Sequence, residues 1–185
     1  IRGHLQHGWS EAYGLSLPPR LVSWLPKFVY SDANVAACVE RGVHPVIPLG
    51  DPFCYLLRSR GDRPTAPTPS TIVYPLHGWE QDDIVGSHDA LIRAIRDREQ
   101  LPVTVCLYWR EFDQPDVRRR YEAAGFRVIT HGYRDDPLCT LRQSDGLSAR
   151  PRAVPNRAAT ALWRGALMGL ETEIYGPVFS ILGDE

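Results

Sequence analysis

The chain has 185 residues, 43% hydrophobic and 23% charged, a size that suits one ordinary core or one domain with part of another. Lys and Arg total 21 against 22 Asp and Glu, and the net charge of -1 gives no electrostatic basis for binding nucleic acid or another polyanion in bulk. No apolar run approaches the roughly 18 residues of a transmembrane helix, and the apolar content argues against disorder.

In chain order, Gly3–Gln6, Lys27–Tyr30 and Pro45–Pro48 look like short strands, and Asn34–Arg41 and Pro52–Arg60 like helices. Three strands make a poor α/β domain by themselves, so residues 1–58 are expected to be the C-terminal part of a larger Rossmann-like domain. Residues 59–70 hold three prolines and almost nothing apolar, the composition of a linker.

Residues 71–185 alternate strand and helix. Thr71–Leu76 is the first strand, and Ser87 caps a helix whose apolar face carries Ala90, Leu91, Ala94 and Ile95. Pro102–Trp109 suits a strand buried on both faces. Asp113 is placed to cap a helix with Pro115 in its first turn, a stripe of Val117, Tyr121 and Ala124, and Gly125 at its end. Phe126–Thr130 is a third strand, part of 136–149 a helix, and Arg152–Pro155 a fourth strand. Asn156 reads as the cap of an apolar helix that buries Ala159, Leu162, Trp163, Ala166 and Leu170, and Glu173–Tyr175 as a fifth strand. Such alternation predicts an α/β fold, a Rossmann-like parallel sheet flanked by helices, with ligands outside the carboxyl ends of its strands.

Those ends carry a recurring pair. His7-Gly8 follows the first strand of the chain, His77-Gly78 the strand at 71–76, and His131-Gly132 the strand at 126–130. Glycine permits a tight turn or close ligand approach, and histidine donates a hydrogen bond, takes a proton or ligates metal. Ordinary turn chemistry, a ligand site and a zinc site built from the three histidines are all compatible with the pattern. The Asn156 helix start is an anion-site candidate, with unpaired N–H groups, the small Ala158 and Ala159, the charge of Arg157 and the hydroxyl of Thr160. Cys38, Cys54, Cys106 and Cys139 lack metal-ligand spacing and read as free thiols. Asp82-Asp83 and Asp135-Asp136 read as solvated or capping carboxylates, so no metal or other cofactor is expected.

The order of an HG loop, a Lys27-Phe28-Val29-Tyr30-Ser31 strand and Val46-Ile47-Pro48-Leu49-Gly50-Asp51-Pro52 resembles the core of GT-B-type transferases of capsule, teichoic-acid and O-antigen biosynthesis. Pro75-x-His77, Gly132-x-Arg134-x-Asp136 and Asn156…Thr160-Ala161 before Gly169 extend the likeness. The HG loop continues as Trp9-Ser10-Glu11 where the glycerophosphotransferases of this group have Leu-Lys, and their Arg-Asn-Asp ending after the third strand is missing. The resemblance implies a two-domain fold, the first domain incomplete here and the second, 71–185, binding a nucleotide-activated donor. It implies sugar transfer to a polysaccharide or small hydroxyl acceptor, without nucleic acid, in the cytoplasm. Peripheral membrane association stays an option.

In that scheme His7 is the base. His77, Arg134, Asn156, Arg157 and Thr160 hold the diphosphate, His131 belongs to the donor-binding set, Glu171 contacts a ribose, and Gly50 and Asp51 shape the cleft. Glu80 and Asp82 are runners-up for acid–base work. A glycerophosphotransferase, a nucleotide-sugar epimerase and a non-catalytic binding module are the alternatives.

Overall fold

A computed structural model describes residues 2–6, 8, 24–61, 68–78, 83–100, 102–133 and 135–182. The chain divides into two compact units, Ile1–Gly61 and Asp62–Glu185. Both are α/β, built on parallel sheets with flanking helices.

The first unit contains β1 (His4–Leu5), β2 (Lys27–Val29), α1 (Asp32–Glu40), β3 (Val46–Pro48) and α2 (Pro52–Arg60). The strands form a parallel sheet in the order β1-β2-β3. Helix α1 begins two residues before the expected Asn34, because the Ser31 hydroxyl accepts the Asn34 N–H and acts as N-cap. Helix α2 is set by local signals. The Asp51 carboxylate accepts the Phe53 N–H at 2.9 Å, Pro52 opens the helix, and Gly61 ends it at φ 67°. Val29, Cys38 and Val43 form the buried cluster.

The second unit contains β4 (Thr71–Tyr74), β5 (Ile84–Val85), α3 (His88–Arg98), β6 (Val103–Cys106), α4 (Trp109–Phe112), α5 (Pro115–Ala123), β7 (Arg127–Ile129), α6 (Cys139–Ser148), β8 (Arg152–Pro155), α7 (Thr160–Leu167), β9 (Glu171–Thr172) and β10 (Ser180–Ile181). Five strands form a parallel sheet in the order β7-β6-β4-β8-β9, which is 3-2-1-4-5 in chain order. That is the order of a doubly wound sheet, reversing between its first and fourth strands. The antiparallel pair β5–β10 lies outside it and was not expected.

Side chains alternate across a strand. Val73, Val105 and Val154 enter one cluster with Leu91, Ile92 and Ile95 of α3 and Tyr121 of α5. Ile72, Thr104, Cys106 and Ala153 therefore face the opposite side. There α7 approaches so closely that a Cβ on Gly165 would stand 3.0 Å from the Thr172 methyl and 3.3 Å from the Ala153 Cβ.

This close packing corrects the expected face of α7. Ala161 and Gly165 are its buried residues, whereas Trp163 is 38% and Leu167 50% exposed. Small residues let the helix sit against the sheet, and the large apolar ones turn outward.

Three further boundaries differ. The run from Val103 leaves the sheet after Cys106, and Trp109 opens α4. Asp113 ends that turn, so Gln114 precedes α5 as a cap without a side-chain bond. The fifth strand lies at Glu171–Thr172, upstream of the expected Glu173–Tyr175. Tyr175 turns into the core and donates to Glu99 at 2.8 Å, and Glu173 is held by Arg98 and Arg152.

Candidate functional site

Strand register brings the carboxyl ends of the second unit's sheet level with one another: Tyr74 pairs with Pro155, and Cys106 with Ile129. The loops that follow β4, β6, β7 and β8 therefore emerge on one edge. Ligands of doubly wound sheets bind at such an edge, where the strand order reverses. Here the reversal lies between β4 and β8.

Asn156, directly after β8, joins the two loops at the reversal. It is 5% exposed, its Oδ1 accepts the Leu76 N–H at 2.7 Å, and its Nδ2 donates to the Pro177 carbonyl at 3.1 Å. The expected capping role is therefore corrected, since its side chain braces the β4 loop against the 156–158 segment and the Pro177 carbonyl, upstream of β10. Helix α7 begins at Thr160 after Ala159, which offers no side-chain cap. Its first N–H groups lie at the β8 end of the edge, with Arg157 and Ala158 exposed beside them.

On the β4 side, the His77 ring stacks on Tyr108, centroids 4.1 Å apart and planes 19° from parallel. Its Nδ1 lies 2.8 Å from the Gly78 carbonyl, which only accepts, so Nδ1 carries a hydrogen. The Gly78 N–H in turn donates to Glu111 Oε1 at 2.9 Å. Trp109 continues the aromatic wall from Tyr108, edge-to-face with Tyr133 at 5.0 Å. His77, Tyr108 and Glu111 thus form one group across the ends of β4 and β6.

His131 has a different environment. Its Nε2 lies 3.0 Å from the Tyr74 hydroxyl, and its backbone N–H bonds the Cys106 thiol. Burial, reinforced by the charges of Arg150 and Arg142, lowers its pKa to about 4, so the ring is neutral at physiological pH. Burial also raises the Cys106 thiol to about 12 and Tyr74 well above its ordinary value.

Arg142 holds the loop that begins at His131. Its Nε donates to the His131 carbonyl at 2.7 Å, and its Nη2 to Asp136 at 2.6 Å. That bond holds the Asp136 carboxyl below its usual value, while its other oxygen accepts the Leu138 N–H. Gly132 adopts φ 85°, the left-handed region that favours glycine, and a side chain there would also push on the Arg142 guanidinium, 2.8 Å away.

The expected residues are not all brought together. His77, His131, Asn156, Arg157 and Thr160 share the carboxyl edge. Glu171 pairs in register with Arg152, the first residue of β8, and is ion-paired to it at the amino edge of the same sheet. A ligand at the carboxyl edge is out of its reach. Gly50 and Asp51 belong to the first unit, where Gly50 has φ 84° and Asp51 caps α2. His7, Glu80, Asp82 and Arg134 lie outside the described residues. Flanking His7, Gln6 is 2% exposed, accepts the Tyr30 N–H at 2.9 Å and donates to the Gly8 carbonyl at 3.0 Å. This amide ties Gly8 to Tyr30, the residue after β2.

Tyr74, Tyr108, Glu111 and Arg142 were not anticipated. For Tyr74, Tyr108 and Glu111 the sequence signal was slight, a polar or charged residue at or just past the end of an apolar run, and Arg142, inside α6, carried none. Among the described residues, no three His, Cys, Asp or Glu side chains gather at metal-binding range. No described helix is long and apolar enough to cross a membrane. No family model matches the chain, and no curated protein matches it.

Proposed function

We propose that the chain is a glycosyltransferase-like enzyme of the two-domain GT-B type. It moves a sugar from a nucleotide-activated donor to a hydroxyl acceptor in cell-surface polysaccharide biosynthesis, in the cytoplasm where such donors are made. The observation that carries the donor half of this reading is the 3-2-1-4-5 parallel order, with the His77 loop and the Asn156–Thr160 segment bonded together at its reversal.

Inverting transfer needs a base for the acceptor hydroxyl and stabilisation of the departing diphosphate. His7 is the base in this reading. The N–H groups at the start of α7, with Arg157, Arg134 and the Thr160 hydroxyl, meet the diphosphate. His77 supplies a hydrogen bond from the facing loop. His131, neutral and bonded to Tyr74, contributes by holding its loop and adds no charge. The scheme calls on no metal ion, so turnover is expected to persist in a chelator.

Thermal melting with CMP-, CDP-, UDP- and GDP-linked sugars tests donor binding. A true donor at about 100 times its dissociation constant stabilises by roughly 2.7 kcal/mol, and silence across the panel refutes the reading. With a donor in hand, His7→Ala is expected to bind it and lose turnover. Retained turnover removes His7 as base.

A further inference from the structure

Glu111 is 5% exposed, yet only one of its carboxylate oxygens is bonded among the described residues. Oε1 accepts the Gly78 N–H, whereas Oε2 is out of solvent contact and has no hydrogen-bond partner there. Buried polar atoms in folded chains are almost always paired, and a buried carboxyl oxygen without a partner is a costly exception. The bond to Gly78 accounts for the side chain's direction but leaves half of its accepting capacity unused.

The position of Glu111 indicates what the second oxygen is for. It sits in the helical turn that follows β6, the second strand of the sheet, and it is bonded to the loop that follows β4, the first. In doubly wound sheets the turn after the first strand approaches the phosphates of a nucleotide. An acidic side chain near the end of the second strand accepts a ribose hydroxyl. Beside Glu111, the stacked His77–Tyr108 pair offers a flat wall of the kind that sugar rings and bases pack against. Trp109 Nε1, also buried and unpartnered among the described residues, is a donor at the same turn.

We propose that Glu111 is a ligand-binding carboxylate whose Oε2 accepts a ribose hydroxyl of a nucleoside diphosphate, the phosphates lying toward the His77–Gly78 loop. Oε2 is out of solvent contact, so the hydroxyl reaches it only as the groups that cover it part. The proposal rests on the nucleotide-donor reading and names the residue that recognises the ribose.

The test compares UDP, CDP and GDP with their 2′-deoxy and 3′-deoxy counterparts by titration calorimetry, on the full chain and on Glu111→Gln. Glutamine keeps an oxygen for the Gly78 N–H and replaces the accepting Oε2 with a donating amide. In the parent, loss of the contacted hydroxyl is expected to weaken binding about ten- to a hundredfold. In Glu111→Gln, the ribonucleotide falls to the deoxy level while the deoxynucleotide is unchanged. Should that variant unfold, Glu111→Asp, one methylene shorter, is expected to lose the same discrimination. Equal ribo and deoxy binding in the parent, or discrimination that survives in the variant, overturns the role of Glu111 and leaves the donor reading standing. Failure of every diphosphate to bind overturns both.

Discussion

Acidification is expected to destabilise the second unit through His131. An unfolded histidine titrates near 6.5, whereas the folded ring is held at about 4, first by burial and then by Arg150 and Arg142. Between those values the unfolded chain takes up a proton that the folded chain refuses. The stability tied to the neutral ring is thus complete above about pH 6.5, is lost as the pH falls, and levels off below about 4. The separation caps the loss at about 3.4 kcal/mol, and about 2.4 kcal/mol of it has gone between pH 7 and pH 4.5.

His88 and His4 are also lowered by burial and push in the same direction, so a pH series on the parent alone cannot isolate His131. Asp136 and Glu173, both lowered by bonds to arginine, start to lose their contribution as the pH falls toward their ordinary values of 3.8 and 4.5, and do so alike with or without His131. The decisive comparison is urea unfolding of the parent and His131→Gln at pH 7 and 4.5. Glutamine reaches the Tyr74 hydroxyl without titrating. At a slope of about 2 kcal/mol per molar urea, the parent midpoint should fall by about 1 M more than the variant's. Matching losses would refute the assignment, as would an imidazole titration of His131 by NMR with a midpoint above 6.

Arg152 anchors the opposite edge of the sheet, where its 14%-exposed side chain pairs with Glu99, itself 4% exposed, and with Glu171 and Glu173. Arg152→Met leaves the buried Glu99 carboxylate with Thr71 and Tyr175 as its donors among the described residues and is expected to cost about 3–5 kcal/mol. Glu171→Gln, at a 72%-exposed position, should cost less than about 1 kcal/mol, and equal losses in chemical denaturation would contradict this account. Asn156→Ala strands the Leu76 N–H and is expected to cost about 2–3 kcal/mol. Asn156→Asp, which keeps that acceptor, should recover part of the loss in thermal melting, and no recovery would show that the bond to Leu76 is not the brace.

Legibility followed the range of the interactions. Helix α2 has the bounds that Asp51, Pro52 and Gly61 indicate, because its start and stop are chemistry within a few residues. Alternating strands and helices indicated a parallel sheet, but not that β8 pairs with β4, since pairing between positions about eighty residues apart leaves no local mark. The α7 stripe was misread because apolar character was equated with burial. Where a helix lies against a sheet at glycine distance, size decides which face turns inward. Asn156 before an apolar run has the local look of a cap, and only the folded chain reveals that its amide spans from position 156 to positions 76 and 177.

The repeated His-Gly pair shows how one local motif is given different chemistry by its surroundings. At His77 the ring lies flat on Tyr108 with Nδ1 on the neighbouring carbonyl. At His131 the ring is sunk against Tyr74 and kept neutral by burial and two arginines. A buried neutral imidazole cannot balance a diphosphate, and a chain of net charge -1 has no general positive field to do so. In the proposed reading, the charge must therefore be met by the N–H groups that open α7 and by the arginines near them. Those groups are placed against the His77 loop through Asn156, so its two hydrogen bonds matter to the site as much as any charged side chain on the edge.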